Sequence, residues 1–170
     1  MPWQLDGNHS RVGWAVKHYD INVIHGYFGK VDATLDFTGD DPTKWSVAAT
    51  IDATSVESAC AARDHHLRTA DYLDIENYPT ITFQSKRVEP AGNGYKVYGD
   101  LTIHGVTREI ALDGQFHGEA KDNQGRQRRG LSAATTIKRS DFGVGTPPGA
   151  PSAVADDLEL RIDTETFYAE

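Results

Sequence analysis

Arg63 to Ser85 reads RDHHLRTADYLDIENYPTITFQS, with two adjacent histidines, three aspartates, two arginines and a Tyr-Pro step in one stretch. A histidine beside a carboxylate can titrate near neutral pH, so His66 with Asp64 or Tyr72 is a candidate acid–base pair. Spacing argues against a metal. His65 and His66 are neighbours, about 100° apart on a helix, and cannot chelate one ion as an i, i+4 pair would. His9, His18, His25, His104 and His117 are scattered, and only His18 and His25 flank one turn. Cys60 is the single cysteine, which rules out an intramolecular disulfide and a cysteine zinc motif. No HExxH pattern, nucleophile elbow or oxyanion donor set accompanies these groups. The expectation is therefore no metal, no cofactor and no catalytic residue. An enzyme acting on a small apolar substrate through His66 stays as the alternative.

The elements that must position these groups occupy 170 residues, enough for one domain over 1–170. Seventeen Lys and Arg against 25 Asp and Glu give a net charge of −8. An overall basic footprint for nucleic acid is absent, and broad adsorption to anionic lipid is disfavoured. The one basic cluster, Arg126, Arg128 and Arg129, lies between two strand-like runs and reads as a solvated hairpin loop. No run approaches the roughly 18 apolar residues of a membrane span. PWQLDGNHS follows Met1 without a basic start or apolar core, so a cytoplasmic location is expected, or a periplasmic or secreted one if a leader was removed.

Eight runs alternate with period two: RVGWAVKH, YFGKVDATLDFT, WSVAATIDA, TITFQSKR, YKVYGDLTI, REIALDGQFHG, LSAATTIKR and LELRIDTET. Such a series predicts an all-β, antiparallel domain with one buried and one wet face. Short turns at Gly92-Asn93-Gly94 and His104-Gly105 favour an up-and-down meander. Closing eight strands into a barrel removes their edges, with a sandwich as the alternative. Gly29, Ala33, Ala49, Ser85, Gly99, Gly114 and Ala133 are spread along the inward face. Small inward residues tip an eight-stranded barrel towards a cavity, unless Trp14, Trp45 and the phenylalanines fill the space. The longest run would give a tunnel on the order of 30 Å deep.

Residues 54–79 do not alternate. Thr54 to Glu57 has the form of a capping box, and Val56, Cys60, Arg63 and Leu67 recur at helical spacing. The expectation is a helix from Ser55 to Arg68 closing one barrel end and gating it.

The residues that carry a family resemblance are now in view. Arg63, Asp64, His66, Leu67, Tyr72, Leu73, Tyr78, Pro79, Phe83 and Ser85 match a pattern that resembles the YceI-like family of polyisoprenoid-binding, bacterial lipocalin-like proteins. HSRVGWAVKH, HGYFGKVDATLDF, GDLTIHGVTREIAL and RSDFGV extend it over nearly the whole chain. The resemblance implies an eight-stranded antiparallel barrel with a helix near one end. It also implies a pocket for a long-chain isoprenoid, quinone-like molecule or other amphiphilic lipid, and no catalytic residues. From the residues themselves, the wall candidates are Trp14, Val16, Tyr27, Val31, Leu35, Ile51, Phe83, Leu101, Leu112 and Ile137. Arg63, His66, Tyr72, Arg139 and Asp141 are candidates at the head group, the last two equally readable as an internal ion pair or turn cap. Leu67 and Leu73 are expected to face inward from the closing segment. The expected function is non-enzymatic binding, storage or transport of such a lipid. A homodimer and a protein-interaction role are left open by the exposed barrel faces.

Overall fold

A computed structural model of the chain describes residues 2–147 and 149–170. Its strands are β1 (Trp3–Leu5), β2 (Arg11–His18), β3 (Asn22–Phe28), β4 (Val31–Asp36), β5 (Ser46–Asp52), β6 (Val56–Glu57), β7 (Thr80–Ala91), β8 (Gly94–Ile103), β9 (Val106–Lys121), β10 (Gln127–Lys138) and β11 (Val154–Tyr168). The helix α1 spans Ala61–Arg68. All pairings are antiparallel. They form a closed eight-stranded barrel, because two of its staves are each made of two strands. β1 and β2 run in line beside β11, which pairs with β2 through Val154–Asp163 and with β1 through Thr166–Tyr168. β3 and β4 make the next stave, with β3 beside β2 and β4 beside β1. β5, β7, β8, β9 and β10 follow as a meander back to β11.

The turns explain the short connections. His104 and Gly105 have φ of 54° and 73°, the two positive values a tight hairpin turn requires. The Tyr78 ring lies over Gly105, where a Cβ would come within 2.6 Å of it, so the turn admits only glycine there. Asn and Gly would ease the turn at Tyr19 and Asp20, but these two residues hold φ of 51° and 55° instead.

Two sequence expectations change at the β3–β4 junction and at the helix. Alternation from Tyr27 to Phe37 breaks at Gly29 and Lys30, whose amides donate to Ser55 O and Ser55 Oγ at 3.0 Å each. The phase shifts there. Tyr27 faces outward, under the Arg11 guanidinium and bonded to Glu57, while Phe28 packs inward. The helix is eight residues, not fourteen. Ala53–Ser55 is a 3-10 turn capped by Asp52, which accepts from Thr54 N at 2.9 Å. Val56 and Glu57 pair with β3 as strand, because burying Val56 against the barrel wins over the capping-box pattern. The left-handed Ala59 then separates strand from helix.

The interior holds two apolar clusters. At the α1 end, Ile51, Ala53, Ile81, Leu101, Ile103, Ile137 and Phe142 are buried together, with Leu73 and Ile75 against them. At the other end Trp3, Leu35, Phe37 and Trp45 form an aromatic cluster reached by Phe116. Arg129, only 3% exposed, sits in this second cluster. Its guanidinium lies 4.4 Å from the Trp3 ring and 4.5 Å from the Trp45 ring. It donates to Phe37 O at 2.6 Å, Glu119 Oε1 at 2.7 Å and Asp40 Oδ1 at 3.2 Å. Neighbouring Arg128 bonds Asp6 and Glu165, and Arg126 bonds Asp122. The basic cluster is thus structural rather than a solvated loop, since the chain supplies a carboxylate for each arginine.

Arg129→Leu should lower stability by about 3 kcal/mol or more, because a buried network loses its cation while its acceptors stay. At this size that corresponds to a fall in Tm of roughly 6–12 °C. Thermal unfolding followed by circular dichroism tests it against Lys138→Ala. The Lys138–Asp157 pair is exposed, and its loss should leave the Tm essentially unchanged.

Candidate functional site

Between the two clusters the barrel encloses an apolar cavity of about 280 Å³. An apolar void of roughly 150 Å³ already holds a benzene. Its wall is made by inward positions of alternating strands: Val31, Leu35, Ile51, Phe83, Leu101 and Leu112, all expected from the sequence. Val12, Phe28, Val97, Ile110, Phe116, Leu131, Leu160 and Ile162 join them. These additions sit on the same inward faces. Phe28 alone was hidden by the phase shift.

Small residues create the space as expected at Gly29, Ala33, Ala49, Ser85, Gly114 and Ala133, all on the wall. Gly99 is different. A Cβ there would come within 2.4 Å of the Phe83 ring and 2.6 Å of Gln84 O, so Phe83 fills its place. The cavity does not run the barrel's full length, and the expected 30 Å tunnel is shorter. Along β8 it extends from Leu101 to Tyr95, about 20 Å at roughly 3.3 Å per residue. The Phe142-centred cluster plugs the α1 end.

Four wall candidates lie elsewhere. Ile137 belongs to the plug. Trp14 packs across Gly26, where a Cβ would meet its ring at 2.0 Å, and its Nε1 has no partner among the described residues. Val16 sits one pair nearer the barrel end and borders a shallow outer groove, and Tyr27 faces outward.

None of residues 52–80 lines the cavity, so Arg63, His66 and Tyr72, expected at the head group, lie away from it. Arg63 turns to Ser58, donating to its Oγ at 2.7 Å and its carbonyl at 2.6 Å. Ser58 Oγ donates in turn to buried Asp64 at 2.5 Å. His66 is an exposed partner of Asp71 at 2.8 Å and meets the Tyr72 ring edge-on at 5.1 Å. Arg68 ties α1 to the wall through Thr54 O and Val56 O. The stretch is a polar strut, and Leu73 contributes to the plug. Leu67 is half-buried outside both clusters. The His66–Asp64 pair is not made, since each has another partner. Arg139 is buried with four backbone carbonyls, of Val144, Thr146, Val154 and Ala155, and shapes the 139–154 loop. This is the turn-stapling role, with no ion pair to Arg139 among the described residues. Asp141 is exposed, and its carbonyl accepts from Arg108. Pro148, within the proline-rich loop, lies outside the described residues.

Only one grouping among the described residues brings three potential metal ligands together, Asp6, His9 and Glu165. Arg128 already donates to Asp6 Oδ2 at 2.7 Å and Glu165 Oε2 at 2.9 Å, where a cation would sit. Neither His18 nor His25 belongs to it.

The wall loosens on one side. β5–β7 pairing ends at Ala48 and Gln84, and the next β5 amide, Val47 N, donates to Ser85 Oγ at 2.9 Å. After a bulge at Lys86, β7 pairs with β8 alone. Pro42, Ser46 and Val88, from both sides of this gap, line the cavity.

Arg128, and after it His9, hold the Asp6 carboxyl down to about 2. A folded value below the ordinary 3.8 stabilises the fold in full above about pH 4 and loses this contribution as pH falls towards 2. Asp6→Asn should therefore cost on the order of 1 kcal/mol at pH 7, a gap that closes between about pH 4 and pH 2. Denaturant midpoints of the two proteins across that range measure it. A constant gap would assign the effect to packing.

The chain matches the YceI-like domain over residues 3–166. It is 36% identical over 160 residues to a UPF0312 protein of Pectobacterium atrosepticum, covering 94% of this chain and 82% of that one. It is 37% identical over 158 residues to a UPF0312 protein of Vibrio cholerae, covering 92% and 82%. Among solved structures it superimposes on Burkholderia cenocepacia BcnA with a TM-score of 0.82 at 29% identity, covering 95% and 98%. The Campylobacter jejuni YCEI protein gives 0.79 at 35%, covering 91% and 90%. A polyisoprenoid binding domain from Saccharophagus degradans shares the fold, at 0.71 and 14% identity over 99% of both chains. A barrel of this topology, matched in sequence from Trp3 to Thr166, belongs to the YceI-like family.

Proposed function

We propose that this protein binds, stores or carries a long-chain isoprenoid, quinone-like or other amphiphilic lipid, without catalysing a reaction on it. The observation that carries this reading is the cavity wall. Among the described residues its sole ionisable groups are Tyr95 and Arg11, and the Arg11 guanidinium lies outside, over Tyr27. Such a wall holds a ligand through apolar burial, at about 25 cal/mol per Å² before ordering costs. The polyisoprenoid binding domain of the same fold supports the same class of ligand. The gap between β5 and β7 is the route by which a chain enters. The break in pairing leaves the Pro42–Lys44 turn as its cover.

Organic extraction of the purified protein, followed by mass spectrometry, should recover a long-chain lipid at near-stoichiometric yield. Ala133→Phe should reduce uptake of a fluorescent long-chain probe about tenfold or more with little change in Tm, since the ring enters space. If the site were packed core, overpacking would instead cost roughly 1–3 kcal/mol.

The entry route is tested separately. Val88→Trp should slow probe release several-fold in stopped flow, whereas Leu67→Ala should leave it unchanged. The reverse result would return the gate to the α1 end.

A further inference from the structure

We infer that residues 38–44, between β4 and β5, form a lid over the cavity mouth, latched by the Asp40–Arg129 ion pair, so that the mouth opens as ionic strength rises. This rests on the entry route proposed above. The lid carries its own bonds. Asp36 accepts from Thr38 N and Oγ1, and Asp41 accepts from Thr43 N and Oγ1. Lys44 N and Trp45 N close the turn on Asp41 O and Pro42 O. Both ends are fixed in the aromatic cluster, where the Phe37 and Trp45 rings lie 4.9 Å apart. A short loop whose ends meet and whose bonds are internal moves as one piece. Gly39, with a φ of 74° and open space where a Cβ would stand, gives it a bend. Pro42 is its part of the cavity wall, so lifting the loop uncovers the gap between β5 and β7.

Among the described residues, one polar contact joins residues 38–44 to the barrel beyond β4 and Trp45. It is Arg129 Nη2 to Asp40 Oδ1, at 3.2 Å. The two partners differ. The Asp40 side chain is 96% exposed and that of Arg129 only 4%. An exposed carboxylate gains little from such a pair, and less as salt screens it. Arg129 does not depend on it. The guanidinium keeps Glu119 and Phe37 O when Asp40 leaves, so opening strands no buried charge.

Trp45 Nε1 donates to Gly39 O at 3.1 Å, from hinge to lid, so its proton reports opening without any ligand. Hydrogen exchange at this indole, followed by NMR, should quicken about fivefold in Asp40→Asn, with the β10–β11 amides unchanged. Sodium chloride should do the same to the wild type, as the screening length falls from roughly 30 Å at 0.01 M to roughly 3 Å at 1 M. The variant should not respond. Stopped-flow release of the fluorescent long-chain probe should follow the same pattern. Unchanged exchange in Asp40→Asn, or a salt response that survives in it, overturns the latch. Exchange that quickens while probe release stays constant overturns the lid. If no probe binds at all, the lipid-binding reading falls, and the exchange result still decides the latch.

Discussion

One end of the barrel's closing seam depends on a buried guanidinium. β2 and β3 pair along the rest of the seam, but β1 is three residues long and meets β4 through a single residue pair, Trp3 with Leu35, so its ladder cannot by itself hold this end shut. Arg129 supplies what the ladder lacks. It stacks between Trp3 from β1 and Trp45 ahead of β5, and bonds the carbonyl of Phe37 beyond β4 and the carboxylate of Glu119 on β9. Four parts of the chain converge on one planar cation that offers several donors and two apolar faces. Lysine could not do this, having neither the fork nor the faces. Burial makes the arrangement demanding, since every donor left unpaired would be costly.

That closure divides the interior. The aromatic cluster around Arg129 closes one end, and the Phe142-centred plug closes the other. Ala33, Ala49, Gly114 and Ala133 leave the middle empty. The same residue type has opposite effects within one wall. Gly99 makes room for Phe83, whereas Gly114 leaves room for a ligand. The inward hydroxyl of Ser85 also has two roles. It ends the β5–β7 ladder by accepting from Val47 N, and it borders the gap that this ending opens.

The histidine-rich stretch is tied together by its own polar groups. Asp64, Arg63 and Ser58 satisfy one another, and Arg68 bonds the carbonyls of the preceding strand. Little apolar surface holds α1 to the barrel, so hydrogen bonds do most of the holding. Tyr78 then covers the His104-Gly105 turn and leads into β7. The segment braces the plugged end, and no helix among the described residues is long and apolar enough to cross a membrane.

Period-two alternation was enough to count eight staves, to order them as a meander and to pick six of the ten wall residues, because side-chain direction in a strand is a local property. It failed where local geometry was overridden from afar. Ser55 captures the amides of Gly29 and Lys30, reversing the faces of Tyr27 and Phe28. Val56 finds more burial in a strand than in the helix its neighbours propose. Trp14 and Ile137 point inward, as their pattern demands, yet lie outside the cavity, because position along the barrel is set by plugs built from distant residues. The arginines of GRQRRG look solvated in sequence, since nothing local shows that Trp3, Phe37 and Trp45 will surround one of them. Alternation is written residue by residue. The cavity's length, its open side and the charge at its end depend on which distant segments meet, and only the folded chain decides that.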